Sequence, residues 1–308
     1  MRSLLLVLAT AEITAGQSHP SWWNYVPPDA TALVGIQWEQ VRNSIFADAI
    51  GVELSSGGSL RFPDLPGLKE ARQILISYPE LLAIATGSFP AAATREQAAR
   101  LGLRPAVFHG VDLWIAPDGS LSIARVSDTV LLVGQRKTLE GAIADSLSDS
   151  IRQYSPLLAR GARLSQDWDL WIATSRMPDP LANVFVPLQI AADAFEGGVS
   201  VRDSLQLGAS YQMGSAEQAV AAAERLQQEI PSFPWVAQGL QVQVDDDAVL
   251  LTLYVGPEQL AASLRPADPV PEAALPAEPV GNGPRVVRIY GLDEGPRETV
   301  LSPGKVAQ

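Results

Sequence analysis

Chemistry in a folded chain begins with its histidines, cysteines and clustered carboxylates, and this sequence of 308 residues spends few of them. It has no cysteine, which removes thiolate nucleophiles, disulfides, Cys-ligated zinc and iron–sulfur centres. It has two histidines, His19 and His109. Only His109, in the run Phe108-His109-Gly110-Val111-Asp112 with a carboxylate three residues on, has the setting of an oriented base. No G-x-S-x-G elbow accompanies it, and a hydrogen-bonded structural histidine is the favoured reading.

Metal-ligand spacings of the H-E-x-x-H, zinc and EF-hand kinds are absent. The densest carboxylates, Asp245, Asp246 and Asp247, suit a solvated hairpin turn better than a Ca²⁺ loop, because they lack alternating ligands and a terminal Glu. Gly281-Asn282-Gly283-Pro284 lacks the third glycine and the strand–turn–helix context of a phosphate-binding loop. Asp167 and Asp169 flank Trp168, which on a strand sets both carboxylates on one exposed face with the indole opposite. The sequence therefore predicts no catalytic residue, no metal and no cofactor. Hydrolysis of polysaccharide or peptidoglycan by two carboxylates has no linear signature and stays open.

Seven tryptophans offer binding chemistry. Trp38, Trp114 and Trp171 fall in strand-like runs and read as core. Trp22, Trp23 and Tyr25 cluster in a segment without periodicity, as Ser21-Trp22-Trp23-Asn24-Tyr25-Val26-Pro27-Pro28. Such a cluster stacks on sugar rings, seats in a partner, or packs back onto its own domain, and the last is favoured.

Charge and targeting narrow the field. A formal net charge of −12 disfavours phosphate-backbone binding, so no nucleic-acid partner is expected. Arg2 followed by the apolar stretch 4–11 reads as a secretory signal peptide over 1–16, cut after Ala15 or after Ala11, although Glu12 departs from the pattern. The alternative is an ordinary N-terminal helix or strand. No later run has the roughly 20 apolar residues of a membrane helix. Periplasmic or extracellular export follows as the expectation.

The positioning elements alternate strands and helices. An extended aromatic lead-in covers 17–30 and a first half 31–150, with strands over 32–38, 80–88, 111–116, 120–126 and 129–134. Helices are expected over 39–50, 67–77, from the capping box at Thr94-Arg-Glu-Gln, and over 138–147. A second half, 165–264, has strands over 169–174, 240–244 and 248–255, a hairpin over 198–213, and helices over 180–195, from Ser215 to 229, and over 256–264. Thr94-Arg-Glu-Gln-Ala matches Ser215-Ala-Glu-Gln-Ala, and Asp128-Thr-Val-Leu-Leu matches Asp247-Ala-Val-Leu-Leu, in the same order. This predicts an internal duplication of about 115 to 120 residues. The fold class expected is α+β: two related halves, each a mostly antiparallel sheet with helices on one face in ferredoxin-like layering. Two unrelated halves are the alternative.

Six prolines in 265–284 make a semi-rigid linker. The segment 285–308 then regains β-forming residues around Arg288 and Tyr290, as an extra strand that pairs with its own sheet or is offered to a protein partner by β-augmentation. The resulting expectation is an exported non-enzymatic protein acting through binding or scaffolding surfaces. Its partner-binding candidates are Trp22, Trp23, Tyr25, Arg288 and Tyr290. An exported hydrolase and a carbohydrate-binding module are the alternatives.

Overall fold

Aliphatic and β-branched runs along the first 263 residues pair side by side into a single antiparallel sheet. The computed structural model describes residues 20–44, 70–148, 155–176, 192–202, 204–233, 237–259, 285–289 and 297–301. The chain divides into two units, Met1–Ser263 and Leu264–Gln308.

In the first unit the strands are β1 (Ala32–Ile36), β2 (Ala71–Tyr78), β3 (Leu82–Gly87), β4 (Arg104–Phe108), β5 (Val111–Ile115), β6 (Ser122–Arg125), β7 (Val130–Gly134), β8 (Leu170–Thr174), β9 (Ala194–Ser200), β10 (Leu205–Gln212), β11 (Gln241–Asp245) and β12 (Ala248–Val255). Their order across the sheet is β11-β12-β10-β9-β8-β1-β2-β3-β7-β6-β5-β4, with the β1–β8 pair at the centre. The helices are α1 (Trp38–Arg42), α2 (Ala91–Arg100), α3 (Arg136–Leu147), α4 (Pro156–Asp167) and α5 (Ala216–Glu229).

Strand alternation assigns the two faces. Trp171 and Ala173 point into a core shared with α3, α4 and the aromatic lead-in. Leu170 and Ile172 point the other way, into the cores beneath α1, α2 and α5. Helices thus cover both faces of one sheet, where layering on one face was expected. α5 buries Ala219, Ala222, Ala223 and Leu226, an i, i+3, i+4, i+7 stripe. α4 starts with Pro156 at its first turn, where the missing N–H costs nothing, and buries Leu157, Gly161 and Leu164.

Several expectations are corrected. Residues 71–78 form β2, where a helix over 67–77 was predicted. β2 lies between β1 and β3 with both faces covered, and Ile74-Leu75-Ile76 is buried throughout, so the run lacks the period-2 signature of a half-exposed strand. Thr94 does not cap α2; the helix begins three residues earlier after Pro90, and the Thr94 hydroxyl donates back to the Pro90 carbonyl. Ser215 is a true N-cap, accepting from the Gln218 N–H, while Gln218 accepts from Gly214 N–H. β4 and α4 lie in stretches given no element. Phe195, expected at a helix end, sits in β9. Residues 180–191 of that helix, the predicted loop at 51–66, His19 and the signal segment lie outside the described residues.

In the second unit, β13 (Arg285–Ile289) and β14 (Arg297–Leu301) pair antiparallel as a two-stranded sheet. The single strand expected there is therefore a hairpin.

Candidate binding surfaces

The aromatic lead-in is not extended. Ser21–Tyr25 is a turn of 3-10 helix, closed by Trp23 N–H to the Pro20 carbonyl and Val26 N–H to the Trp23 carbonyl. This tight turn drives Trp23 into the core, where it is 2% exposed, and leaves Trp22 and Tyr25 half-buried. Trp23 packs on Trp171 with ring centroids 5.7 Å apart, and Trp22 meets Trp23 edge-on at 5.8 Å.

Trp171 in turn rests on glycine. It is the cross-strand partner of Gly35, and a Cβ at Gly35 would overlap its indole. On the other side Gly161 of α4 leaves room for the same ring, a Cβ there standing 2.8 Å from it. Trp168 is seated the same way over the cross-strand pair Gly198 and Gly208. Glycine on facing strands, covered by an aromatic ring, explains how these indoles lie flat on the sheet.

Beside the Trp23–Trp171 pair is a cavity of about 90 Å³, lined by Trp22, Gln37, Gln73, Ser165 and neighbouring residues of β1 and β2. Gln73 Nε2 donates to Gln37 Oε1 at 2.9 Å, and Gln37 Nε2 donates to the Ser165 carbonyl at 3.2 Å. The relay leaves a polar wall of amides facing indoles. The space is far below that of a drug-sized ligand, and suits a small polar group or a few waters. Among the described residues its lining carries no carboxylate. Gln37, Gln73 and Ser165 escaped sequence reasoning because isolated glutamines and serines carry no spacing signal.

The carboxylates lie elsewhere. Asp169 is fully buried, which overturns its reading as an exposed strand residue beside Asp167. Asp167 ends α4, and Asp169 accepts from Ser200 Oγ, Val201 N–H and Arg202 Nε at 3.0, 2.9 and 3.1 Å. Its position between α4 and β8, three residues before Ile172, makes it the tie that fixes the β9–β10 turn. Asp245, Asp246 and Asp247 are exposed at the β11–β12 turn, with Asp246 in the left-handed region at φ 49°. His109 occupies a two-residue turn with Gly110, at φ 49° and 80°, its ring edge-on to Phe108. Trp114 is buried as expected, whereas Trp38 opens α1 and is half-buried. Arg288 lies in β13, opposite Glu298 in register, and Tyr290 lies outside the described residues.

The sheet's two outer strands offer a different kind of surface. Ala116 N–H bonds to the Leu121 carbonyl, so alternation assigns the backbone groups of Arg104, Ala106 and Phe108 to β5, and those of Pro105 and Val107 outward. Pro105 has no N–H to present, which blunts this edge. On the opposite edge, Met213 N–H bonds to the Asp247 carbonyl. Gln241, Gln243 and Asp245 therefore bond inward to β12, and Val242 and Val244 turn their N–H and C=O groups outward. The X-Gly turn at His109 was the available signal for β4; Pro105 within the strand hid it.

No helix among the described residues is long and apolar enough to cross a membrane. No protein-family model matches the chain, and no curated protein matches it. Among solved structures, it is similar to crystal form I of TP0453, with a TM-score of 0.56 at 10% identity, covering 80% of this chain and 96% of that one. Crystal form IV of TP0453 aligns with a TM-score of 0.49 at 12% identity over 78% of this chain and 94% of that one. The likeness to crystal form I is one of fold: a mixed helix and strand architecture built on an antiparallel sheet.

Proposed function

We propose that this is an exported, non-enzymatic protein that acts by binding or scaffolding through its surfaces. The observation that carries the reading is the open sheet: it ends in two strands, β4 and β11, whose outward backbone groups have no partner strand among the described residues. Such edges recognise extended segments by main-chain pairing. The β13–β14 hairpin after the proline-rich linker supplies two further edges, and makes 285–308 a second candidate for partner contact. Export rests on the apolar stretch behind Arg2.

The reading includes duplication. β7 and β12, which contain the Val-Leu-Leu of the matching Asp-x-Val-Leu-Leu runs, each pair with the third strand of their half, β3 and β10. α2 and α5, which carry the matching Glu-Gln-Ala runs, each follow that third strand. Equivalent sheet positions favour a common origin over two unrelated halves.

Affinity purification of the full chain from the exported fraction of its native host tests the reading. A stoichiometric partner that survives washing is expected, and its loss on deleting 285–308 would assign it to the C-terminal segment. Recovery of the chain alone, with an intact Met1 in the cytoplasmic fraction, would overturn both the export and the surface reading.

A second reading, carbohydrate binding, is favoured by the half-buried Trp22 beside Gln37 and Gln73, where the small cavity has room for one hydroxyl group and the sugar ring itself would stack outside it. An indole face packs on a sugar ring and amides take its hydroxyls. Glycan-array binding that disappears in Trp22→Ala supports it, and unchanged array signal in that variant rejects it.

A further inference from the structure

The two ends of the sheet are not equivalent, and the difference points to a partner. Resting on the surface-binding reading, we infer that β11 is a docking edge for an extended, basic peptide strand, which extends the sheet by main-chain pairing.

β4 is guarded. Pro105 removes one outward donor, and Arg104 adds a charge beside it, two devices by which natural sheets refuse an added strand. β11 has no proline, and its one charged residue, Asp245, stands at its last position. Its outward positions, Val242 and Val244, each present one N–H and one C=O, a full set of two donors and two acceptors for an incoming strand. Their side chains share the face of Val249 and Leu251, with which they pair across β12. That face is the core beneath α5, so a new strand with apolar residues at alternate positions would continue it. Val244 is 40% exposed and Val242 half-buried, which leaves apolar area for those residues to cover. On the other face Gln241 and Gln243 are exposed amides that tolerate polar neighbours.

Charge selects the partner. Asp245, Asp246 and Asp247 close the end of β11, all exposed and none engaged in an ion pair among the described residues. An incoming strand with lysine or arginine at this end meets three exposed carboxylates, and an acidic one meets repulsion on top of the chain's net −12. The same net charge argues against a second copy of this chain as the occupant.

The test uses the full chain and a fluorescent ten-residue peptide alternating valine with lysine, beside a counterpart with glutamate for lysine. Anisotropy should report binding of the basic peptide that weakens as salt rises, and hydrogen exchange should slow at the Val242 and Val244 amides. Val244→Pro, which removes an outward donor, should weaken binding at least about tenfold, while Val107→Pro on the opposite edge leaves it unchanged. The triple change Asp245→Asn, Asp246→Asn, Asp247→Asn leaves the backbone edge intact, so it reads charge without risk to the strand; it should abolish the preference for the basic peptide. Equal binding of both peptides, protection at β4 alone, or an unaffected triple variant would overturn the inference while leaving the wider surface reading standing. So would protection of the same two amides on raising protein concentration without peptide, which would make the occupant a second copy. Absence of any partner in the purification above is the separate result that removes the wider reading.

Discussion

At the scale of single residues, the glycines of this protein carry more structural information than its charges. Gly35 exists where Trp171 must lie flat, and Gly35→Ala drives a Cβ into the indole, which Gly161 and Trp23 prevent from retreating. Overpacking of this kind costs about 1–3 kcal/mol, more where the neighbour is a rigid ring. Gly141 on α3 is the control: nothing stands within 4 Å of its Cβ position, and Gly141→Ala should stabilise by about 0.5–1 kcal/mol through helix propensity. Urea unfolding of the two variants should therefore move the midpoint in opposite directions. Tyr211 gives a second residue-scale expectation. Burial raises its phenol to about 12 from an ordinary 10, so the folded state keeps a proton that the unfolded chain releases. That contribution is whole below pH 10 and is lost as pH climbs toward 12, a drop of about 2–3 kcal/mol, with Tyr78 raised in the same direction by its own burial. Tyr211→Phe should flatten the fall in stability measured between pH 9 and 12. None of these roles was legible in the sequence, because an indole's seat joins residues far apart in the chain: Gly35 meets Trp171 only through the pairing of β1 with β8.

At the scale of elements, legibility followed exposure. The strands with one wet face, such as β12 with its buried Val249, Leu251, Leu253 and Val255 alternating with more exposed neighbours, matched their predicted spans, as did α5. β2 failed because both of its faces are covered, and α4 because Gly161 and its arginines dilute the apolar stripe that Leu157 and Leu164 define. The two capping boxes separate a real cap from a coincidence of letters. Ser215 has extended backbone and accepts the Gln218 N–H, so Ser215→Ala should cost about 1 kcal/mol. Thr94 lies inside α2 and bonds only to a carbonyl one turn back, so Thr94→Ser, which keeps that hydroxyl, should leave the helix start unchanged. Thermal denaturation of Ser215→Ala checks the cap, and an unchanged midpoint would mean that the Ser215 bond contributes nothing; Thr94→Ser should lose only what its buried methyl contributes, with its helix amides keeping their hydrogen-exchange protection.

For the molecule as a whole, the repeated motifs predict two halves and give no sign of one continuous sheet, since the β1–β8 seam pairs residues with no local signal of each other. That seam changes what folds. A single core takes Leu33, Leu75 and Leu82 from the strands before it, Leu139 and Ile143 from α3, Leu157 and Leu164 from α4, and Trp171 and Ala173 from β8. Separating the halves would bare two strand edges and divide this core, so residues on both sides of the seam should unfold in one transition. Trp171→Ala tests this at the centre. Loss of the ring should cost about 3–5 kcal/mol. Far-UV circular dichroism and tryptophan fluorescence should shift together, and hydrogen exchange should speed up to a similar degree in the β3–β7 and β10–β12 pairs. If β10–β12 keeps its protection at a urea concentration where β3–β7 has lost it, the halves fold separately and the shared sheet is a docked interface between them.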